Sequence, residues 1–376
     1  MRIVYVADSI RRIGGIQRVT VAKANALAGL PGNDVWILVA DTSGEQVYGL
    51  SPLVKVVDLG INYYEDDWKS QWHVLKGIVI RRRVHRRKVK DALDGIRPDV
   101  VISVGESEKY FLPRVKGEWL KVREIHYIKH YRLLAAASLC SRIVAKCVEL
   151  YDFGWKIRRY DRIVVLTEED RLDNWHGDPR VKAIPNPLPF ERGRVSSLDT
   201  GLVLAVGRLT AEKDFLSLIR AFRHVADRFP DWRLEILGDG EQKQILADAI
   251  NSLSLGGNVL LKGMVKDVRE EMLSASCLVM TSRFEGFGMA LTEAMACGLP
   301  VVSYACPAGP REIISDGVDG FLVAPGDEKA LAERICEIAG DGEKRKKMGA
   351  AAFRSAARYD TDRIVSMWMD LFEGRC

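Results

Sequence analysis

Two glutamates, Glu285 and Glu293, stand with seven residues between them in SRFEGFGMALTEAMACGLPVVSYACPAGPREII, Ser282 to Ile314. Glu285 lies among glycines, where a helix has not yet begun. Glu293 lies among Ala, Leu and Met, about two turns inside one. Gly286 and Gly288 let the backbone approach a ligand closely, and a helix starting near Gly288 offers unpaired N–H groups and a positive dipole end. That arrangement suits a phosphate or diphosphate. Carboxylates repel phosphate, so the two glutamates suit uncharged hydroxyls flanking it. A sugar nucleotide presents such hydroxyls on both sides of its diphosphate, on the transferred hexose and on the ribose. The plainer alternative is a pair of acids at a helix N-terminus. Upstream, LVLAVGRLTAEKDF places Arg208 just after a strand and Lys213 five residues later, with Gly207 allowing a tight turn beside them. A planar guanidinium and a point-charge ammonium there would stabilise a departing diphosphate, although a strand-end Arg and Lys are often merely solvated.

The elements that must position these groups alternate. RIVYVAD, DVWILVAD, VVDLG, DVVISVG, LKVREIHYI and DRIVVLT read as short apolar strands, with the helical patterns IQRVTVAKANALAGL and a long basic stretch among them. Three prolines and a polar tail interrupt the periodicity in IPNPLPFERGRVSSLDTG, the best linker candidate. Alternation then restarts with LVLAVGRL, WRLEILGDG, NVLLKGMV, CLVMTS and LPVVSYA as strands, and from Glu328 onward the chain reads as helical. Strands alternating with helices predict parallel sheets covered on both faces. The predicted fold class is α/β with two Rossmann-like domains, residues 1–187 and 188–358. A final amphipathic helix within 359–376 is expected to pack back on the first domain. Such sheets bind ligands at the carboxyl ends of their strands, so two of them facing each other imply a cleft.

At 376 residues the chain is long enough for two cores, and 47% hydrophobic with 28% charged residues is the balance of a soluble globular protein. The seven cysteines form no C-x-x-C pair and no metal-ligand spacing with histidine, and several lie in apolar runs, which points to buried thiols in a reducing compartment. MRIVYVAD is too short and too quickly polar for a signal peptide, and no run is long enough to span a bilayer. A cytoplasmic location is expected. The net charge of +5 is unevenly spread, since IRRRVHRRKVK, Ile80 to Lys90, carries seven Lys or Arg from Arg81 onward. This is either a solvated helix face or a surface for anionic lipid headgroups. Nucleic acid is disfavoured, because no recognised motif or aromatic stacking platform accompanies the run.

GRLTAEKDF, EILGDGEQ, EGFGMALTE and ACGLPVVSYACPAGPREII together resemble the retaining glycosyltransferases of family 4. The glycine turn IGGIQRV and the linker IPNPL match more loosely. The resemblance implies the GT-B fold, with two Rossmann-like domains facing across a cleft. It implies that Arg208 and Lys213 bind the donor diphosphate, that Glu285 contacts the transferred sugar and that Glu293 holds the ribose hydroxyls. Gly286, Phe287, Gly288 and Met289 would cradle phosphate, Met264 or Val265 would meet the base, and Gly14 and Gly15 would form the first domain's loop over the diphosphate. His126 is preferred over His130 as the histidine near the donor sugar, and Glu124 is a further candidate for the acceptor. No convincing D-x-D metal motif is present, so no metal or other cofactor is expected. The implied chemistry is front-face transfer with retention, in which the leaving phosphate helps to deprotonate the acceptor hydroxyl.

CPAGPREII resembles the branch of the family that builds surface polysaccharides, which favours a UDP-sugar over GDP-mannose and a lipid-linked glycan acceptor. Arg81–Lys90 and the apolar segment after Tyr131 would then seat the first domain on the inner face of the membrane. A UDP-N-acetylglucosamine 2-epimerase shares the architecture but needs acid/base groups in both domains that the sequence does not offer. A dehydrogenase is disfavoured because neither glycine loop reads G-x-G-x-x-G. A non-catalytic binding subunit would be expected to lose Glu285, Arg208 or Lys213, and all three are present.

Overall fold

The computed structural model describes residues 1–11, 14–44, 47–61, 63, 71–136 and 138–375, with the backbone alone for 71–79. Contacts divide the chain into two compact units. Unit 1 is residues 1–166, 171–189 and 361–376; unit 2 is residues 167–170 and 190–360.

Unit 1 is built on β1 (Arg2–Ala7), β2 (Asp34–Val39), β3 (Val54–Asp58), β4 (Val100–Ser103), β5 (Leu120–Glu124), β6 (Arg162–Val165) and β7 (Val181–Ala183). All pair in parallel, in the order β3-β2-β1-β4-β5-β6-β7. The order runs outward in both directions from the β1/β4 pair, which makes the carboxyl ends of those two strands the topological switch point where such sheets bind ligands. β1 and β4 are continuous apolar runs because both faces of the sheet are covered. Ile3 and Tyr5 face helix α1 (Gly15–Gly29) and the C-terminal helix Thr361–Phe372, which contributes Ile364 and a fully buried Trp368. Val4 and Val6 face Val89 and Leu93 of α2 (Gln71–Ile96) and Leu112. Burying an indole such as that of Trp368 contributes about 1.5–3 kcal/mol or more, a strong tie between the chain's last helix and its first strands. A short helix, α3 (Leu139–Glu149), leads into a π-helical turn, Leu150–Lys156.

Unit 2 repeats the plan with β8 (Leu202–Val206), β9 (Arg233–Leu237), β10 (Val259–Gly263), β11 (Cys277–Met280), β12 (Val301–Tyr304) and β13 (Gly320–Val323). The parallel order is β10-β9-β8-β11-β12-β13, so the switch point lies between β8 and β11. Helix α4 (Phe215–Arg228) shows why it packs there: Phe215, Leu218, Ile219, Phe222, Val225 and Ala226 recur at helical spacing and all enter the core beside Val203 and Ala205. Helix α5 (Met289–Ala296) follows β11 and is buried from Leu291 onward, which explains its run of Ala, Leu and Met.

Candidate functional site

The loops after β8 and β11 adjoin the switch point of unit 2, and they bring Lys213 and Glu285 together. Lys213 Nζ lies 2.5 Å from Glu285 Oε1, and the Ser282 hydroxyl donates to the same oxygen at 2.6 Å. The lysine and glutamate side chains keep 19% and 11% of their surface exposed, so the pair is mostly dry yet open to a ligand. The two loops are stitched by further bonds: Thr281 Oγ1 donates to Lys213 O at 2.9 Å, and Arg283 N donates to Glu212 O at 2.8 Å. Arg208 is placed differently. Its side chain is exposed and its Nη2 lies 2.6 Å from Glu212 Oε1, a pair one helical turn apart in sequence that binding of an anion would have to exchange.

The backbone around this pair is shaped for close approach. Gly238, at φ 138°, packs where a Cβ would lie 1.9 Å from Gly207 O, and this fixes the β9 loop beneath the turn that carries Arg208. Gly309, at φ 136°, does the same against Phe287 O, also 1.9 Å from a built Cβ, and fixes the chain before α5. Gly286 and Phe287 lead to Gly288, the residue before the first turn of α5, and Met289 opens that turn. Leu291 N donates to Gly288 O at 3.0 Å, while the N–H groups of Met289 and Ala290 lack partners within the helix by geometry and adjoin the segment that carries Glu285. Glu293 is buried in the second turn. Met264 is exposed and Val265 half-buried just past β10, where Gly263 O accepts from Gly238 N at 2.8 Å. Cys306 is sealed in the core; burial, reinforced by the charge of Glu285, pushes its thiol up to about 12, so it is no nucleophile.

In unit 1 a cavity of about 60 Å³ opens at the carboxyl ends of β1, β4 and β5, lined in part by Asp8, Gln17, Thr20, Glu106, His126 and Tyr127. It lies at the switch point. Asp8 fastens the loop after β4 by accepting from Glu106 N at 2.8 Å and Ser107 N at 3.2 Å. Glu106 then gathers Arg123 Nη2 at 3.1 Å, Tyr127 Oη at 2.9 Å and Lys109 Nζ at 2.5 Å. Burial would raise the Glu106 carboxyl, but Arg123 and Lys109 outweigh it and hold the group below its ordinary range. Gly14 is extended and Gly15 is the first residue of α1; Gly14 N is 3.0 Å from Tyr48 Oη, which tethers the loop.

His126 lines this cavity, whereas His130 is half-exposed with Nδ1 2.9 Å from Glu149 Oε2. His126 Nε2 lies 3.2 Å from Glu124 Oε1. Glu124 is not open to an acceptor: its side chain is 1% exposed, and it pairs with an equally buried Lys23 from α1. The ammonium also lies 4.5 Å from the Trp368 ring. Burial would raise the Glu124 carboxyl, yet Lys23 and His126 together hold it at about 2. Sequence reasoning missed this lysine, although its spacing from Val19 and Leu27 puts it on the buried face of α1. It also missed the fully buried Glu108, which burial first and Asp8 second push up to about 8 against the pull of Arg123.

Residues 191–355 match the family model described as glycosyl transferases group 1. The amylovoran biosynthesis glycosyltransferase AmsD of Erwinia amylovora is 31% identical over 289 residues, 73% of this chain and 78% of that protein. With two doubly wound units and a phosphate-suited helix start beside a lysine, the chain belongs to the group 1 glycosyl transferases, with the GT-B fold. An exopolysaccharide phosphotransferase of Streptomyces coelicolor is 37% identical over 219 residues, and the match spans 56% of this chain but only 23% of that relative's length. Among solved structures, a mutant of S. aureus TarM in complex with Fondaparinux, alpha-GlcNAc-glycerol and UDP superposes with a TM-score of 0.79 over 99% of this chain and 100% of that one. At 15% identity that likeness is one of fold.

Proposed function

We propose that this glycosyltransferase moves a hexose or N-acetylhexosamine from a UDP-sugar to a hydroxyl of a lipid-linked glycan in surface-polysaccharide synthesis, with retention at the anomeric carbon. The observation that carries the reading is the half-open Lys213–Glu285 pair beside the start of α5. On this reading unit 2 takes the donor. The first turn of α5 and Lys213 receive the diphosphate, Arg208 leaves Glu212 to join them, and Glu285 turns to the hydroxyls of the transferred sugar once Lys213 is drawn to phosphate. Glu293 holds the ribose, and the backbone at Met264 and Val265 meets the base. The cavity of unit 1, with His126, Glu106 and Tyr127 on its walls, takes the acceptor.

The bond from the anomeric carbon to the diphosphate oxygen breaks as the acceptor oxygen bonds to the same face of that carbon. The acceptor proton passes to the departing phosphate oxygen, and UDP leaves. Charge developing on the diphosphate is met by Lys213, Arg208 and the helix start, a form of stabilisation typically worth about 2.7–4 kcal/mol per well-placed donor. On this reading the reaction needs no metal ion or other cofactor. The basic run Arg81–Lys90 holds the enzyme at the cytoplasmic face of the membrane, where the acceptor resides; among the described residues no helix is long and apolar enough to cross a bilayer.

Membrane extract serves as acceptor source in the test, with UDP-glucose, UDP-galactose, their N-acetylated forms and GDP-mannose offered singly in EDTA. The expected result is transfer from one UDP-sugar, with an α-linkage in the product. Transfer from GDP-mannose alone would overturn the donor assignment, and a β-linkage would overturn retention.

A further inference from the structure

Helix α3 and the turn after it are built inside out. Ala145, Glu149 and Asp152 are buried, while Leu139, Ile143, Val144, Leu150, Tyr151 and Trp155 are exposed, Leu139 by 76% and Leu150 by 64%. Leu139, Ile143 and Leu150 follow one another at four and seven residues, and Val144, Tyr151 and Trp155 at seven and four, so the two rows lie side by side as one apolar stripe opposite the buried carboxylates. An ordinary surface helix has the reverse polarity. One oxygen of each buried acid is paired from within: Glu149 Oε2 lies 2.9 Å from His130 Nδ1, and Asp152 Oδ2 lies 3.0 Å from Lys109 Nζ and 3.2 Å from Arg132 Nη1. Residues 138–159 therefore expose Arg142, Lys146, Arg158 and Arg159 and no carboxylate.

The end of the stripe merges with more positive charge. Arg114 lies 4.7 Å from the Trp155 ring, which stacks on Tyr151 at 5.8 Å. Lys156 Nζ, 4.1 Å from the Tyr151 ring, is also 3.5 Å from the Tyr110 ring. Arg82 of α2 covers that same Tyr110 ring at 4.1 Å. The basic run of α2 and the apolar stripe of α3 are thus parts of one surface of unit 1.

We propose that this surface docks on an anionic lipid leaflet, with the α3 stripe sunk into the headgroup–acyl boundary and the flanking cations on lipid phosphates. Apolar side chains bordered by cations, with no exposed acid in residues 138–159, are the composition of interfacial helices, which join apolar burial to attraction by anionic lipid; on α2 the exposed Asp91 and Asp94 are paired with Arg87 and Lys90 at the far end of the basic run. A second copy of the chain fits less well, because two such stripes face to face would bring Arg142 and Lys146 against their own copies. The docking rests on the geometry of unit 1; that the leaflet also presents the acceptor rests on the function proposed above.

The test is co-sedimentation of the full chain with phosphatidylcholine vesicles, with and without about a third phosphatidylglycerol, at low and high salt. Two exposed-site variants accompany it, Ile143→Ser/Val144→Ser/Leu150→Ser and Arg83→Gln/Arg86→Gln/Arg87→Gln. The wild type is expected to bind only the anionic vesicles, and the stripe variant to lose about tenfold or more in partitioning. The α2 variant should bind more weakly but still show quenching of Trp155 by brominated lipid, read as the difference from Trp155→Phe. Unchanged partitioning of the stripe variant would overturn the proposal, as would absence of binding or a self-associating wild type made monomeric by the stripe substitutions. Stabilisation by UDP is measured on the same proteins. If it persists while docking fails, only the docking surface falls; if the wild type shows none, the donor reading falls whatever the vesicles show.

Discussion

Each unit holds a lysine–glutamate pair close to the switch point of its sheet, and the two pairs differ in one respect that decides their use. Lys23 and Glu124 are each 1% exposed, with Trp368 beside the lysine. Lys213 and Glu285 lie in two loops beyond the strand ends, partly wet, beside a helix start whose first N–H groups lack helical partners. A sealed ion pair cannot trade its partner for a ligand; its two charges have been desolvated once and for all, and its worth is measured by what happens when one is removed. A half-open pair can exchange its lysine from carboxylate to phosphate at little further desolvation cost. The first belongs to the fold, and the second is where the proposed function puts the chemistry.

The largest effect that separates the two is expected at Lys23. Lys23→Met leaves Glu124 buried without its cation and should cost about 3–5 kcal/mol in urea unfolding of unit 1, most of it recovered in Lys23→Met/Glu124→Leu. Glu285→Gln or Lys213→Met should shift the urea midpoint little and slow transfer by about 10²–10³-fold. If either lost as much stability as Lys23→Met, the contrast would fail.

Glu108 gives a third handle on the sealed side. Its carboxyl keeps its proton in the folded state up to about pH 8 but loses it near the ordinary carboxylate range when unfolded. The folded state therefore binds more protons over that window, and this group's contribution to stability is lost as pH rises through it. Glu108→Gln should flatten the fall in melting temperature between pH 5 and pH 8.5 relative to the wild type, while an identical slope would contradict the assignment. The smallest effect is expected at the exposed Arg208–Glu212 pair, where Glu212→Gln should change stability by less than about 1 kcal/mol.

The alternation of both units could be read from the sequence because parallel strands covered on both faces are apolar runs, as RIVYVA and LVLAV are. Less legible were β7, three residues long, and β13, GFLV, which opens on glycine and carries no strong pattern. The loops bearing Arg208, Lys213 and Glu285 could be placed because glycines and strand ends mark them. The partner choices could not. That Lys213 meets Glu285 depends on how two loops from different strands converge, and that Arg208 meets Glu212 depends on the turn its own loop takes. The Lys23–Glu124 pair spans 101 positions, and a buried charge leaves no trace in local pattern beyond a lysine on an apolar helix face. The inverted polarity of α3 was equally hidden, since the same periodicity describes a helix with its apolar stripe inward or outward.

The most direct measurement is calorimetric titration of UDP into the wild type, Lys213→Met, Glu293→Ala and Lys23→Met/Glu124→Leu, in EDTA. The open pair as nucleotide site predicts binding by the wild type, weakening of about tenfold or more in the first two variants and near-normal affinity in the last. Wild-type affinity in Lys213→Met and Glu293→Ala, or its loss in the sealed-pair variant alone, would contradict the account.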